Sequence, residues 1–164
     1  ACTRKVAPGL SYFDKRAVMV GGGDTHRLHL DDLVLIKDNH LAVVGTVGEA
    51  VKKVREAVSF SKKIEVEVST EKMALEAAKA EADIILLDNF SIPQIKKTMA
   101  LLEEKGFRDK VLVEASGGIN ERNMLEFAAT GVDILSLGEI TDSVKALDMS
   151  LEIVKVRKSE SKKV

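Results

Sequence analysis

The sequence predicts an α/β fold, an open or incomplete TIM-like barrel of about six parallel strands. Short apolar, β-rich runs alternate with helical patterns along the chain, the mark of βα units around a parallel sheet. Several of these runs are unbroken, as strands covered on both faces require. The chain has 164 residues, whereas a complete eight-unit barrel takes roughly 250. A doubly wound sheet is the runner-up, but its usual Gly-x-Gly-x-x-Gly turn does not occur in the sequence.

The candidate strands, in order, are Ala17 to Val20, Leu33 to Ile36, Ile64 to Val68, Ile84 to Leu87, Val111 to Val113 and Ile134 to Leu137. The third alternates strictly as Ile64-Glu65-Val66-Glu67-Val68, which sends both carboxylates to one face and the aliphatics to the other. On an inner face the pair would be functional; on an outer face it would be solvated. Thr46 with Glu49 forms a capping box before a helix carrying Val47, Val51, Val54 and Val58 at helical spacing. Ser91 with Gln94 forms a second, with Pro93 in the first turn and Gly106 past the end. Asn120 can cap a third helix, turning Met124, Phe127 and Ala128 inward and ending at Gly131. These elements make one domain over residues 1–150. Residues 151–164 form a polar tail, or the return to a missing domain, and from Lys155 to Val164 the tail is rich in Lys and Ser.

Composition narrows the function. Hydrophobic residues make up 45% of the chain, with no Trp and one Tyr, which suits an aliphatic core. The 25 Lys and Arg against 26 Asp and Glu leave a net charge of −1, so no global positive field recruits nucleic acid. No apolar run approaches the roughly 20 residues a spanning helix needs. A single cysteine, Cys2, forms no intrachain disulfide, and the first residues carry no secretory pattern, so a reducing cytoplasm is the expected compartment. The chain starts at Ala1 with Thr3-Arg4-Lys5 only two residues in, and it reads as a fragment or excised domain.

Positive charge is concentrated locally instead. Thr3-Arg4-Lys5, His26-Arg27 and Lys37-Asp38-Asn39-His40 gather cations and imidazoles among apolar segments, as a pocket for a multiply anionic small molecule would. In parallel βα folds the site forms at the C-terminal strand ends. There the sequence places Gly21-Gly22-Gly23 followed by His26-Arg27, then Lys37, Glu67, Asp88-Asn89, Ser116-Gly117-Gly118 and Gly138. The glycines let backbone N–H groups approach an anion, and the helix starting near Asn120 would point its positive end at it, so Gly117-Gly118 reads as a phosphate site or as a plain tight turn. Glu67 and Asp88 could hold Mg²⁺ through oxygen, or ion-pair with Lys5 or Lys37. Arg4, His26 and Arg27 would face a carboxylated ligand. His29, on an amphipathic segment, reads as structural.

Taken in order, Ala1-Cys2-Thr3-Arg4-Lys5, Pro8-Gly9-Leu10, Gly21-Gly22-Gly23, His26-Arg27-Leu28, Ile36-Lys37-Asp38-Asn39-His40, Glu65-Val66-Glu67, Leu86-Leu87-Asp88-Asn89 and Ala115-Ser116-Gly117-Gly118-Ile119 resemble the quinolinate phosphoribosyltransferase family. The resemblance runs from Ala1 to about Leu147. It implies a pentosyltransferase of NAD biosynthesis that joins quinolinate to phosphoribosyl pyrophosphate and releases pyrophosphate and CO₂. It also implies a missing N-terminal α/β sandwich domain and homodimers, or larger homo-oligomers, with shared active sites. By the same resemblance Thr3, Arg4, His26, Arg27 and Lys37 hold the quinolinate carboxylates. Lys5, with Glu67 and Asp88 through Mg²⁺, holds the ribose and pyrophosphate, and Ser116, Gly117, Gly118, Ser136 and Gly138 take the 5′-phosphate. Lys5, Lys37, Glu67 and Asp88 are the expected catalytic groups. One departure stands out: Asp142 occupies the place where the family usually has His, and a carboxylate cannot donate to a phosphate. The competing readings are a phosphoribosyltransferase-like protein for nicotinate or another acidic ring compound, and an inactive binding module.

Overall fold

The computed structural model describes residues 1–154. Five strands form one parallel sheet in sequence order: β1 (Val34–Ile36), β2 (Ile64–Val68), β3 (Ile84–Asp88), β4 (Leu112–Ser116) and β5 (Ile134–Ser136). The helices are α1 (Ser11–Val20), α2 (Asp38–Val44), α3 (Val47–Ala57), α4 (Glu71–Lys79), α5 (Ile92–Glu104), α6 (Met124–Ala128) and α7 (Glu139–Asp142). Beyond β5 the sheet gains one more parallel bridge, Cys2 to Leu137. Among the described residues nothing pairs with the free edge of β1, so the barrel is open.

Alternation along the strands divides the molecule. Ile64, Val66, Val68, Ile85, Leu87, Val113 and Ala115 face the helices and form one core with Val47, Ala50 and Val51 of α3, Ala74, Ala77 and Ala78 of α4, and Ile95 and Leu102 of α5. The other face is polar. Glu67 pairs in register with Leu86 and Leu86 with Glu114; Asp88 pairs with Ser116 and Ser116 with Ser136. Tiers of oxygen-bearing side chains therefore climb the concave face toward the C-terminal strand ends, and Glu65 and Glu67 both belong to it.

Thr46 accepts from the Glu49 N–H at 3.2 Å, and the Glu49 carboxylate accepts from the Thr46 N–H at 3.3 Å. Ser91 and Gln94 cap α5 in the same manner. Three expectations need correction. Ala17 to Val20 is the last part of α1 and not a strand, so the count is five and the sixth parallel contact comes from Cys2. An apolar run of four residues fits either element, and here the helix begins at Ser11 and carries it along. α6 starts three residues later than expected, with Asn123 ahead of it, because Asn120 Oδ1 accepts from the Arg122 N–H in the preceding turn. Of its three expected inward residues only Phe127 packs on the core; Met124 and Ala128 are exposed on this short helix beside the edge strand β5. His29 does not pack at all, for it lies in an exposed loop beside Asp32. Residues 143–154 form no regular element and are exposed, and Lys155 to Val164 lies outside the described residues.

Candidate active site

The N-terminal segment and the loop after α1 are tied together by a buried lysine. Lys15 is the buried residue of α1, and its ammonium donates to the carbonyls of Thr3 at 3.0 Å and Thr25 at 2.6 Å and contacts Cys2 Sγ at 3.3 Å. Bonds of this charge-assisted kind are among the stronger ones, so the amine fixes Thr3-Arg4-Lys5 against His26-Arg27. Thr141 Oγ1 adds a tie, donating to the Lys5 carbonyl at 2.8 Å.

The result is a cleft of about 300 Å³ over the polar face of the sheet. Thr3, Arg4, Lys5, His26, Arg27 and Lys37 line it, together with Glu65, Glu67, Asp88, Glu114, Ser116 and Ser136. A second cleft, of about 470 Å³, continues past the strand ends and is walled by Gly117, Gly118, Gly138 and Asp142. Thr3, Lys5, Asp88, Ser116 and Ser136 border both. The fold thus gathers every residue expected at the site: the carboxylate-binding and catalytic sets in the first cleft, the phosphate set in the second or on the shared wall.

Lys37 Nζ lies 2.5 Å from Glu67 Oε2, so the ion pair that the sequence left open as an alternative is formed. Among the described residues no lysine pairs with Asp88, which accepts from its neighbour Asn89, 2.8 Å away. Glu67 and Asp88 sit on adjacent strands, one tier apart on the same face, and their hard oxygen donors suit Mg²⁺. His40 lines neither cleft: its Nδ1 accepts from the Lys37 N–H at 2.9 Å and caps α2. This bond explains part of the Lys-Asp-Asn-His block by helix capping.

Gly117 has φ +95, and a Cβ there would lie 2.3 Å from Asn89 Oδ1 and 3.0 Å from the Asn89 backbone nitrogen, so only glycine fits. Gly118 follows at φ +65, and consecutive glycines in this region open backbone N–H groups to a ligand. The expected helix dipole is weak, because α6 has five residues and starts at Met124. Ser136 Oγ is buried on the shared wall without a hydrogen-bond partner among the described residues. Asp142 leans over Gly138, with Oδ2 within 2.8 Å of where a Cβ would stand.

Deeper in the first cleft His26 Nε2 lies 3.3 Å from both Glu65 Oε2 and Glu114 Oε2. Bonding to Glu114 first, then to Glu65, lifts its pKa from the usual 6.5 to about 10 against the opposing effect of burial. Burial pushes the Glu65 carboxyl up. The three groups are close enough for a divalent cation, and a proton on the imidazole would compete with a metal for the same ring nitrogen. Lys15 and Glu114 were not singled out from sequence. A lone carboxylate inside Val111-Leu112-Val113-Glu114-Ala115 was the available signal for the second, since an acid on a core strand must face something polar.

Residues 1–152 match the profile of the family described as quinolinate phosphoribosyl transferase, C-terminal domain. A probable nicotinate-nucleotide pyrophosphorylase [carboxylating] of Methanothermobacter thermautotrophicus is 55% identical over 153 residues, spanning 93% of this chain and 55% of that protein. The human nicotinate-nucleotide pyrophosphorylase [carboxylating] is 42% identical, over 93% of this chain and 51% of its own. Among solved structures, NadC from Streptococcus pyogenes superposes with a TM-score of 0.85 at 41% identity, covering 92% of this chain and 51% of that one. The chain therefore spans about half the length of the curated relatives it matches.

Proposed function

The chain belongs to the quinolinate phosphoribosyl transferase family, matching its C-terminal domain, and from this premise we infer that, as part of a longer protein, it transfers phosphoribosyl to quinolinate with decarboxylation. The products would be nicotinate mononucleotide, pyrophosphate and CO₂. The observation that carries the reading is the pair of clefts sharing one wall, the first lined by cations and the second by glycines. Such a site suits a dicarboxylate at one end, a phosphate at the other and a sugar between.

Thr3, Arg4, His26, Arg27 and Lys37 bind the two substrate carboxylates, which explains why several cations face one small ligand. Lys5, at the border of the clefts, holds the pyrophosphate end. Ser136, Ser116 and the glycines Gly117, Gly118 and Gly138 receive the 5′-phosphate, and the free Ser136 hydroxyl supports this part. Glu67 and Asp88 would hold Mg²⁺, which when bound offsets the charge of the pyrophosphate. As the glycosidic bond breaks, positive charge grows on the sugar, and the same two carboxylates favour it. Once the ring nitrogen is glycosylated, the pyridinium stabilises the carbanion left by CO₂, so the protein's task at that step is orientation. No protein nucleophile is needed.

On this reading the protein works as a homodimer with shared sites in the cytoplasm, and the exposed Leu10, Tyr12 and Phe13 at the start of α1 support a covered interface. Among the described residues no helix is long and apolar enough to cross a membrane. Incubating the full-length protein with phosphoribosyl pyrophosphate, Mg²⁺ and either quinolinate or nicotinate tests the reading. Nicotinate mononucleotide from quinolinate, with equimolar CO₂, is expected. Product from nicotinate alone would replace the substrate assignment, and no product from either would leave a binding module.

A further inference from the structure

Two carboxylates below the cleft are unusual in their burial. Glu65 and Glu114 are 0% and 1% exposed, come from strands separated by β3, and turn their Oε2 atoms toward the same imidazole. Both Glu65 carboxylate oxygens and Glu114 Oε2 lack a hydrogen bond of good angle among the described residues. Two buried anions without donors are costly unless a cation lies between them. His26 is that group, and its backbone is bent to reach them: it sits at φ 52, outside the usual range for a residue with a side chain, with its N–H held by Asp24 Oδ1 at 2.5 Å.

We propose that Glu65 and Glu114 are positioning residues that clamp His26 between β2 and β4 and hold it as a fixed cation at the dicarboxylate end of the cleft. The proposal rests on the quinolinate reading for what the cation meets, while the clamp itself stands on geometry. A neutral imidazole presents one donor and one acceptor, so its pull on an anion would vanish above about pH 6.5. Held between two carboxylates, it keeps its proton through the neutral range, and the site binds an acidic ring with a charge that does not depend on pH. The other charged groups lining the cleft with the ring are Arg4, Lys5, Arg27, Lys37, Glu67 and Asp88; Asp24, Lys63, Asp133 and Ala1 border a neighbouring depression that the ring also lines. Among the described carboxylates only Glu65 and Glu114 reach it within ion-pair distance.

Two measurements on the full-length protein test this. In the first, NMR follows the His26 ring through pH 5.5–9.5, in wild type and in Glu114→Gln and Glu65→Gln. The wild-type ring is expected to stay protonated beyond pH 8.5, and each amide variant to bring its titration down by a unit or more. A wild-type midpoint near 6.5, or loss of the His26 signal to added Zn²⁺ at neutral pH, would overturn the clamp whatever the substrate is. In the second, KM for quinolinate is measured against pH. It should be flat from pH 6 to 8.5 in wild type, rise about tenfold over that range in Glu114→Gln with a smaller change in kcat, and be flat again in Glu114→Asp. A folded Glu114→Gln protein with the wild-type pH profile would overturn the proposal. If quinolinate is not turned over at all, the functional reading fails and the NMR titration still decides the clamp.

Discussion

His26 gathers more consequences than any other residue, because its charge is tied to the fold as well as to the site. Its raised pKa means that it stabilises the native state fully below its unfolded value of 6.5, and that this contribution is lost as pH climbs toward about 10. Melting temperature should therefore fall between pH 6.5 and 10 more steeply in wild type than in His26→Gln, a comparison that thermal scans can make. Arg27 lines the same cleft without a buried ion-pair partner among the described residues. Replacing it with Ala should weaken quinolinate binding by about 1.5–3 kcal/mol, the range for a bond to a charged group. An unchanged dissociation constant in the full-length protein would remove Arg27 from the site.

At the scale of elements, the loops after β4 and β5 wall the second cleft, the proposed phosphate end. Gly117→Ala should cost about 1–2 kcal/mol for the left-handed backbone alone, with more from the collision with Asn89, so melting temperature and phosphoribosyl pyrophosphate affinity should fall together. In α7, Asp142 places negative charge where a phosphate would lie; Asp142→His should lower KM for phosphoribosyl pyrophosphate by about tenfold if it gains one charge-assisted bond of about 1.5 kcal/mol. A KM unmoved by that change would place the phosphate elsewhere. The element scale is also where reading from sequence succeeded and failed. β2 was legible residue for residue because its alternation has a period of two, and α3 and α5 because their caps are spelled out in Thr46, Glu49, Ser91 and Gln94. Ala17 to Val20 was not, since four apolar residues have no period, and with α1 misread the buried Lys15 could not be found. The candidate residues Lys37, Glu67, Asp88, Ser116 and Gly138 were legible because they stand at or just past strand ends, whereas His26 and Arg27 follow α1 and reach the cleft by a loop. Glu114 was not legible, because it lies within a strand and its partner His26 comes from a loop distant in sequence.

For the whole molecule, an open sheet with a helical layer on one face leaves the other face free to be polar, and every candidate site residue lines the clefts over that face or its rim. Each strand pairs with its neighbours in the sequence, so the sheet can grow unit by unit through local contacts. The exception is the first segment: Cys2 bridges Leu137, and Leu137 N–H donates to the Ala1 carbonyl at 3.0 Å. Closing a loop of that length is repaid only after β5 exists. The contact should therefore form late, and Leu137→Ala should speed unfolding while leaving the folding rate nearly unchanged in stopped-flow measurements. Because Thr3, Arg4 and Lys5 ride on that segment, the wall of the cleft is completed only when the two ends of the described chain meet. A chain that has its sheet but has not joined Cys2 to Leu137 lacks that wall, so on the proposed reading affinity for the anionic substrates would arrive with the last contact of folding.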